Sequence, residues 1–394
     1  MGRVNQFAGV LAILACFLTG ALAQQSRVFR EGNSWVEEKT GSLPAAKTLK
    51  LRLSMGSVRV QGGASDISYT IRGRISAGSE VDARKTFERY EVATGSHGDT
   101  AWISGEWKGH SPKHFSGEVV LNVPRDTELV KVETQCGDIK VSDIAGNFDG
   151  QSGGGTVTVD TIGGSVTAET GGGNVSIGRA RGAHIVTGGG NIELGDIDGI
   201  VSMETGGGNV RLASATGNVN AETGGGNIHA QKCTSSVKAE TGGGNIELGD
   251  IGGEVEMSSG GGRLKLASAR GMVRAETGSG RMDLGRISGG VKAETGAGGI
   301  AVEIAADSKF TDSVLESPSG DVVIYLSPQL AAVIRASIDA ASGHKILSDF
   351  PEIRVTSEGG EWGTLFAEGR LNGGGPLLKV TTSSGNIEFR RLNH

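Results

Sequence analysis

The chain has 394 residues, among them 68 glycines, and 44 acidic side chains against 38 basic ones give a net charge of −6. Mixed charges with a mild acidic excess offer no basic footprint for nucleic acid, and glycine without a Gly-X-Y period excludes collagen. No aromatic residue lies between Phe148 and Phe310, so that stretch cannot build the stacking platform of a single-strand nucleic-acid site.

Residues 1–23 read as a signal peptide. Arg3 gives a short basic start, Phe7 to Leu18 is an apolar run, and Ala21-Leu22-Ala23 is a small-x-small cleavage pattern that starts the mature chain at Gln24. Ile13-Leu14-Ala15-Cys16 loosely follows a lipobox, but Cys16 sits inside the apolar run rather than after it. No later stretch reaches the roughly 18 apolar residues of a membrane-spanning helix. Export to the periplasm, or to the cell surface or outer membrane, is the expected destination.

Residues 24–133 read as an N-terminal cap with irregular β coils. Strands are expected over Leu51 to Val60, Ile67 to Ile75 and Glu118 to Val123, with a helix from about Val81 to Glu91. The segment holds Trp35, Trp102 and Trp107.

Residues 134–304 carry a repeat. Thr-Gly-Gly-Gly-Asn begins at Thr170, Thr187, Thr205, Thr223 and Thr241, with looser copies at Thr134, Ser152, Ser259, Thr277 and Thr295. Every step is 18 residues except the 17 from Thr170 to Thr187. Counting Thr or Ser as position one, positions six and eight are apolar (Val210 and Leu212, Ile246 and Leu248), as are positions fifteen and seventeen (Val219 and Ala221). Position eleven repeats as Ile197, Ala215, Cys233, Ile251, Ala269 and Ile287. Period-two spacing gives two short strands per coil with alternate residues inward. One coil cannot bury its apolar face, but stacked coils about 4.8 Å apart can. Proline, which would break such ladders, is absent between Pro124 and Pro318. The fold class is all-β, a single-chain parallel β-solenoid with 18 residues per coil. Residues 305–394 add C-terminal coils and a cap. The corner recurs at Ser317 to Val322 and Thr382 to Ile387, and Pro328 to Ala340 is expected as a short helix or cap.

The T-G-G-G-N-(V/I)-x-L coils, Val123-Pro124-Arg125 ahead of the repeat and the late S-G-(D/N)-(V/I) strands resemble the bacterial DUF4097 β-strand-repeat family of candidate adhesins. The resemblance covers roughly residues 45 to 390. It implies a β-solenoid and an exported or envelope location, and its motif carries no catalytic residue.

A calcium-binding nonapeptide repeat needs carboxylates at the corner, where this chain has Asn174, Asn191, Asn209, Asn227 and Asn245, so a stacked Asn row bonding neighbouring backbone is expected. A left-handed hexapeptide helix would put an aliphatic at position eighteen, where Glu169, Glu204, Glu222, Glu240, Glu276 and Glu294 stand. That glutamate row is expected to face water, paired with Lys238, Arg274 and Lys292; divalent-cation binding by Glu204, Glu222 and Glu240 is the alternative. Position seven runs Glu193, Arg211, His229, Glu247, Lys265, Asp283, a mixed-sign outward ladder. Arg179 and Arg181 are expected to pair with Asp196 and Asp198 one coil later. Asp196 and Asp198 could meet glycosidase spacing but lack an aromatic beside them. The histidines (His97, His110, His114, His184, His229, His344 and His394) show no ligand spacing. Cys136 and Cys233 lie five coils apart, too far for a disulfide.

No catalytic, cofactor-binding or metal residue is assigned, and no cofactor. The function expected is a non-enzymatic, adhesin-like surface or periplasmic module with an unidentified envelope, glycan or protein partner. The runner-up is a carbohydrate-active β-helix enzyme of lyase or glycosidase type, with Trp102, Trp107 and Trp362 stacking sugar in the flanking segments. An ice- or mineral-binding face built from the Thr row is a minor third option.

Overall fold

The computed structural model describes residues 25–112, 114–307, 309–340, 342–358 and 363–392. Residues 1–23, expected above as a signal peptide with Cys16 inside it, lie outside the described residues, as do Trp362 and His394. Two long sheets face one another, and each coil gives one strand to each. In one coil, Val219–Thr223 lies in one sheet, a glycine corner turns the chain, and Ile228–Cys233 lies in the other. Successive strands are parallel and in register at 18 residues, as Val210↔Ile228 and Ile228↔Ile246 show.

The inward assignment holds at every tested position. Val210, Leu212, Ala215, Val219 and Ala221 are each at most 3% exposed, and burying a Val or Leu side chain stabilises by roughly 1.5–3 kcal/mol. The 17-residue coil loses its residue in the second corner. Only Arg181 and Gly182 separate Ala180 from Ala183, where Thr216, Gly217 and Asn218 separate Ala215 from Val219. The offset is therefore 17 for Ala180↔Ile197 and 18 again for Ala183↔Val201, and the strands keep their faces.

Three local expectations change. The strand expected over Leu51 to Val60 is two strands, Thr48–Leu53 and Ser57–Ala64, in different sheets. The corner between them uses Gly56 at φ +131°, a backbone state cheap only for glycine. The helix is shorter than expected, Glu80–Phe87, with the Ser79 hydroxyl accepting from the Asp82 amide as its N-cap. Pro328 to Ala340 contains no helix but the strand Ala332–Ile338, whose Ala332, Ile334, Ala336 and Ile338 are buried. There the period-two apolar pattern overrides the helix preference of alanine.

The ends depart from sequential stacking. Near the N-terminus, Thr48–Leu53 pairs with both Thr100–Trp107 and Leu129–Thr134, and Ser57–Ala64 pairs with both Ser116–Pro124 and Ile139–Ser142. The coil made by residues 100–124 thus lies outside the one made earlier by residues 48–64. At the other end, Leu377–Ser384 and Ile387–Arg391 slot between the coil of residues 313–326 and the strands Ala332–Ile338 and Ile346–Ser348. Antiparallel strands then close each end: Gln25–Glu31, Ser34–Leu43 and Ile67–Ile75 on one sheet, Tyr90–His97, Thr364–Leu371 and Arg354–Glu358 on the other.

Candidate functional surface

The glycine corner is organised from inside by a row of hydroxyls. Position-one residues are buried, from Thr134 at 5% exposed to Thr295 at 1%. Thr205 Oγ1 donates to the Gly190 carbonyl of the preceding coil at 2.8 Å and accepts from the Gly208 amide at 3.2 Å. Thr223, Thr241 and Ser259 repeat the arrangement. Each hydroxyl thereby satisfies two backbone groups that the tight corner strips from the strand ladder. The Thr row faces inward, so the ice- or mineral-binding option, which needs it on the surface, is overturned. The signal was present in the sequence, since only Thr and Ser occupy this position.

The Asn row behaves as expected. Asn174, Asn191, Asn209, Asn227 and Asn245 each present Oδ1 to the backbone amide of the residue one coil later, at 2.8–2.9 Å. These oxygens are committed to holding coils together. The glycines beside them differ in what they do. A Cβ on Gly224 would stand 2.2 Å from the Gly206 carbonyl oxygen, and one on Gly226 2.0 Å from that of Gly208. A Cβ on Gly225 would meet nothing within 4 Å. The middle glycines therefore leave a bare backbone ridge along the rod.

The outward columns pair across coils. Glu247 accepts from Lys265 at 2.6 Å and lies 3.7 Å from His229, and the Lys265 bond holds its carboxyl below the usual range against the cost of partial burial. Asp283, where burial works to raise its pKa, is nonetheless held low by Arg281 and Arg263. In the glutamate row, Lys238 pairs with Glu240 at 2.8 Å and Asn220 donates to Glu222 at 2.9 Å. Arg274 and Lys292 form no such pair with Glu276 and Glu294. Arg179 meets Asp196 at 3.9 Å. The second expected pair does not form: Arg181 sits in the shortened corner, and Asp198 bonds through its backbone to Ala180.

Sequence reasoning missed a groove of about 1040 Å³ where residues 52–55 and 106–111 meet the first regular coils. Its walls include Arg52, Glu106, Trp107, Glu133, Gln151 and Glu169. Arg52 approaches Glu133 to 3.9 Å, and Gln151 donates to Glu169 at 3.3 Å. Ser54 Oγ and Trp107 Nε1 are buried there with no hydrogen-bond partner among the described residues. Trp107 packs edge-on against Phe115 at 4.6 Å and beside Tyr90 at 5.1 Å. Burial pushes the Tyr90 phenol up to about 12. The groove draws residues from six separated segments, which no single stretch of sequence could reveal.

Trp102 and Trp107 occupy opposite faces of the strand Thr100–Trp107: Trp102 is 38% exposed, while Trp107 shares the face of buried Ile103. Cys136 is exposed and Cys233 buried, both as free thiols, and burial lifts the Cys233 thiol to about 11. Among the described residues, no three His, Cys, Asp or Glu side chains gather in a metal-holding group, and no helix is long and apolar enough to cross a membrane.

A model of the family Toastrack DUF4097 matches residues 46–391. No curated protein matches the chain. Among solved structures, a candidate cell adhesion protein from Clostridium sporogenes is similar at 9% identity, over 91% of this chain and 100% of that one, with a TM-score of 0.17. A candidate adhesin from Bacteroides fragilis is similar at 9% identity over 91% and 97%, with a TM-score of 0.24. A candidate lipid-binding protein from Parabacteroides distasonis is similar at 13% identity over 75% and 97%, with a TM-score of 0.25.

Proposed function

The chain belongs to the Toastrack DUF4097 family, and from that membership and the surface described above we propose that it is an exported, non-enzymatic binding module of adhesin type. The observation that carries this reading is the repeated surface itself. Outward columns such as Glu193, Arg211, His229, Glu247, Lys265 and Asp283 recur coil after coil in one register. An array with the spacing of a strand ladder suits a partner that is itself extended or repetitive, such as a glycan or fibrous protein, which it engages through many weak contacts. In this reading residues 24–133 and 305–394 cap the 134–304 ladder, and residues 1–23 direct export to the periplasm or cell surface.

The runner-up, a carbohydrate-active enzyme in the flanking segments, is disfavoured by the two tryptophans on opposite faces of one strand, which cannot line one sugar groove. The test is a glycan and extracellular-matrix array probed with purified protein, repeated on a form lacking residues 223–240. Binding that weakens in proportion to the coils removed supports the module. An all-or-none loss of a hydrolytic or lyase activity would establish an enzyme instead.

A further inference from the structure

The strand Arg354–Glu358 is unlike the other strands. All five residues are exposed, including Val355 at 44%. Among the described residues it is paired on one side alone, antiparallel to Thr364–Leu371. A free edge of this kind presents a row of unpaired backbone N–H and C=O groups, a template for another strand. Proteins that keep such an edge single usually blunt it with repelling charge. Here the charges do the reverse.

The sequence Arg-Val-Thr-Ser-Glu is self-complementary about its centre. In an antiparallel pair of two copies related by a two-fold axis through Thr356, Arg354 lies opposite Glu358 of the partner subunit, and Glu358 opposite the partner's Arg354. Thr356 faces its own copy, a favourable cross-strand pair. Residues 354, 356 and 358 share one face of the strand, so both ion pairs flank the threonines on one surface. Among the described residues, neither Arg354 nor Glu358 forms an ion pair, and Glu368, opposite Arg354, approaches Arg335 instead. We propose that this edge is a self-association site, at which two copies join head to head so that their sheets run on as one. The two-fold axis makes the contact isologous and closed, ending at a dimer rather than a fibre.

Five residues bury far less than a standard interface, so the dimer forms only at high concentration, up to about 500 µM in a sedimentation-equilibrium series. The wild-type protein should shift from monomer to dimer across that series. R354E sets glutamate against glutamate in both pairs, and E358R sets arginine against arginine; each should remain monomeric with an unchanged circular dichroism spectrum. R354E/E358R restores opposite charges at both pairs and should dimerise again. A one-to-one mixture of R354E and E358R should form a heterodimer. A wild-type protein that stays monomeric at every concentration overturns the proposal, as does a dimer that R354E leaves intact.

Discussion

At the scale of single residues, the corner assigns different physical work to neighbours that look alike in the sequence. Position one needs a hydroxyl rather than threonine itself, since Ser152 and Ser259 make the same two contacts. Replacing Thr223 by Val keeps the shape but orphans the Gly208 carbonyl and Gly226 amide contacts, a loss of about 1–3 kcal/mol. Replacing it by Ser should cost under about 1 kcal/mol, and urea titration of the two variants separates the outcomes. The glycines divide in the same way. Gly225→Ala should be neutral or slightly stabilising, because nothing opposes the new methyl and the unfolded chain loses freedom. Gly226→Ala drives a methyl into backbone and should lower the melting temperature clearly. Equal effects at the two positions would contradict the corner geometry.

At the scale of elements, the N-terminal sheet end is tied by a buried carboxylate. Glu38, on the strand Ser34–Leu43, is 6% exposed and lies directly opposite Arg27 on one neighbour and Arg72 on the other. Arg27 binds Oε1 at 2.9 Å through Nε, and Arg72 binds Oε2 at 2.7 Å. The Arg72 bond, against the cost of burial and helped by Arg27, holds the carboxyl below its ordinary pKa. A carboxylate lowered on folding adds stability above its unfolded pKa, and that stability is lost as the pH falls through the folded value. Glu38→Gln should therefore destabilise at pH 7 by about 1–3 kcal/mol, tempered because both arginines are about half-exposed or more. The gap between mutant and wild type should close below about pH 4 in thermal melts. A gap independent of pH would mean that the carboxylate contributes only its shape.

At the scale of the whole molecule, stability is close to a sum over coils and their neighbours. Deleting residues 223–240 joins Glu222 to Thr241, keeps the corner period, and brings Arg211 beside Glu247 in place of His229. The shortened protein should fold with β-rich circular dichroism and a modest loss of thermal stability. Deleting nine residues instead sets strand against corner and should aggregate; a nine-residue deletion that folded equally well would refute the register.

The coil is written in the residue pattern. Its period, its inward Val, Leu and Ala positions, its Asn ladder and its separated thiols all follow from residues that repeat at fixed spacing, because each coil meets the same environment. The two strands around Gly56 were also within reach: Leu49, Leu51 and Leu53 fall on odd positions and Val58 and Val60 on even ones, a change of parity that marks a corner. The remaining features follow from which strands meet in three dimensions. The order of coils at both ends depends on which backbone edge each segment pairs with, and backbone edges are alike whatever side chains they carry. The groove beside the first regular coils and the Arg72 arm of the clamp on Glu38 depend in turn on that order, since both bring together segments far apart in the sequence.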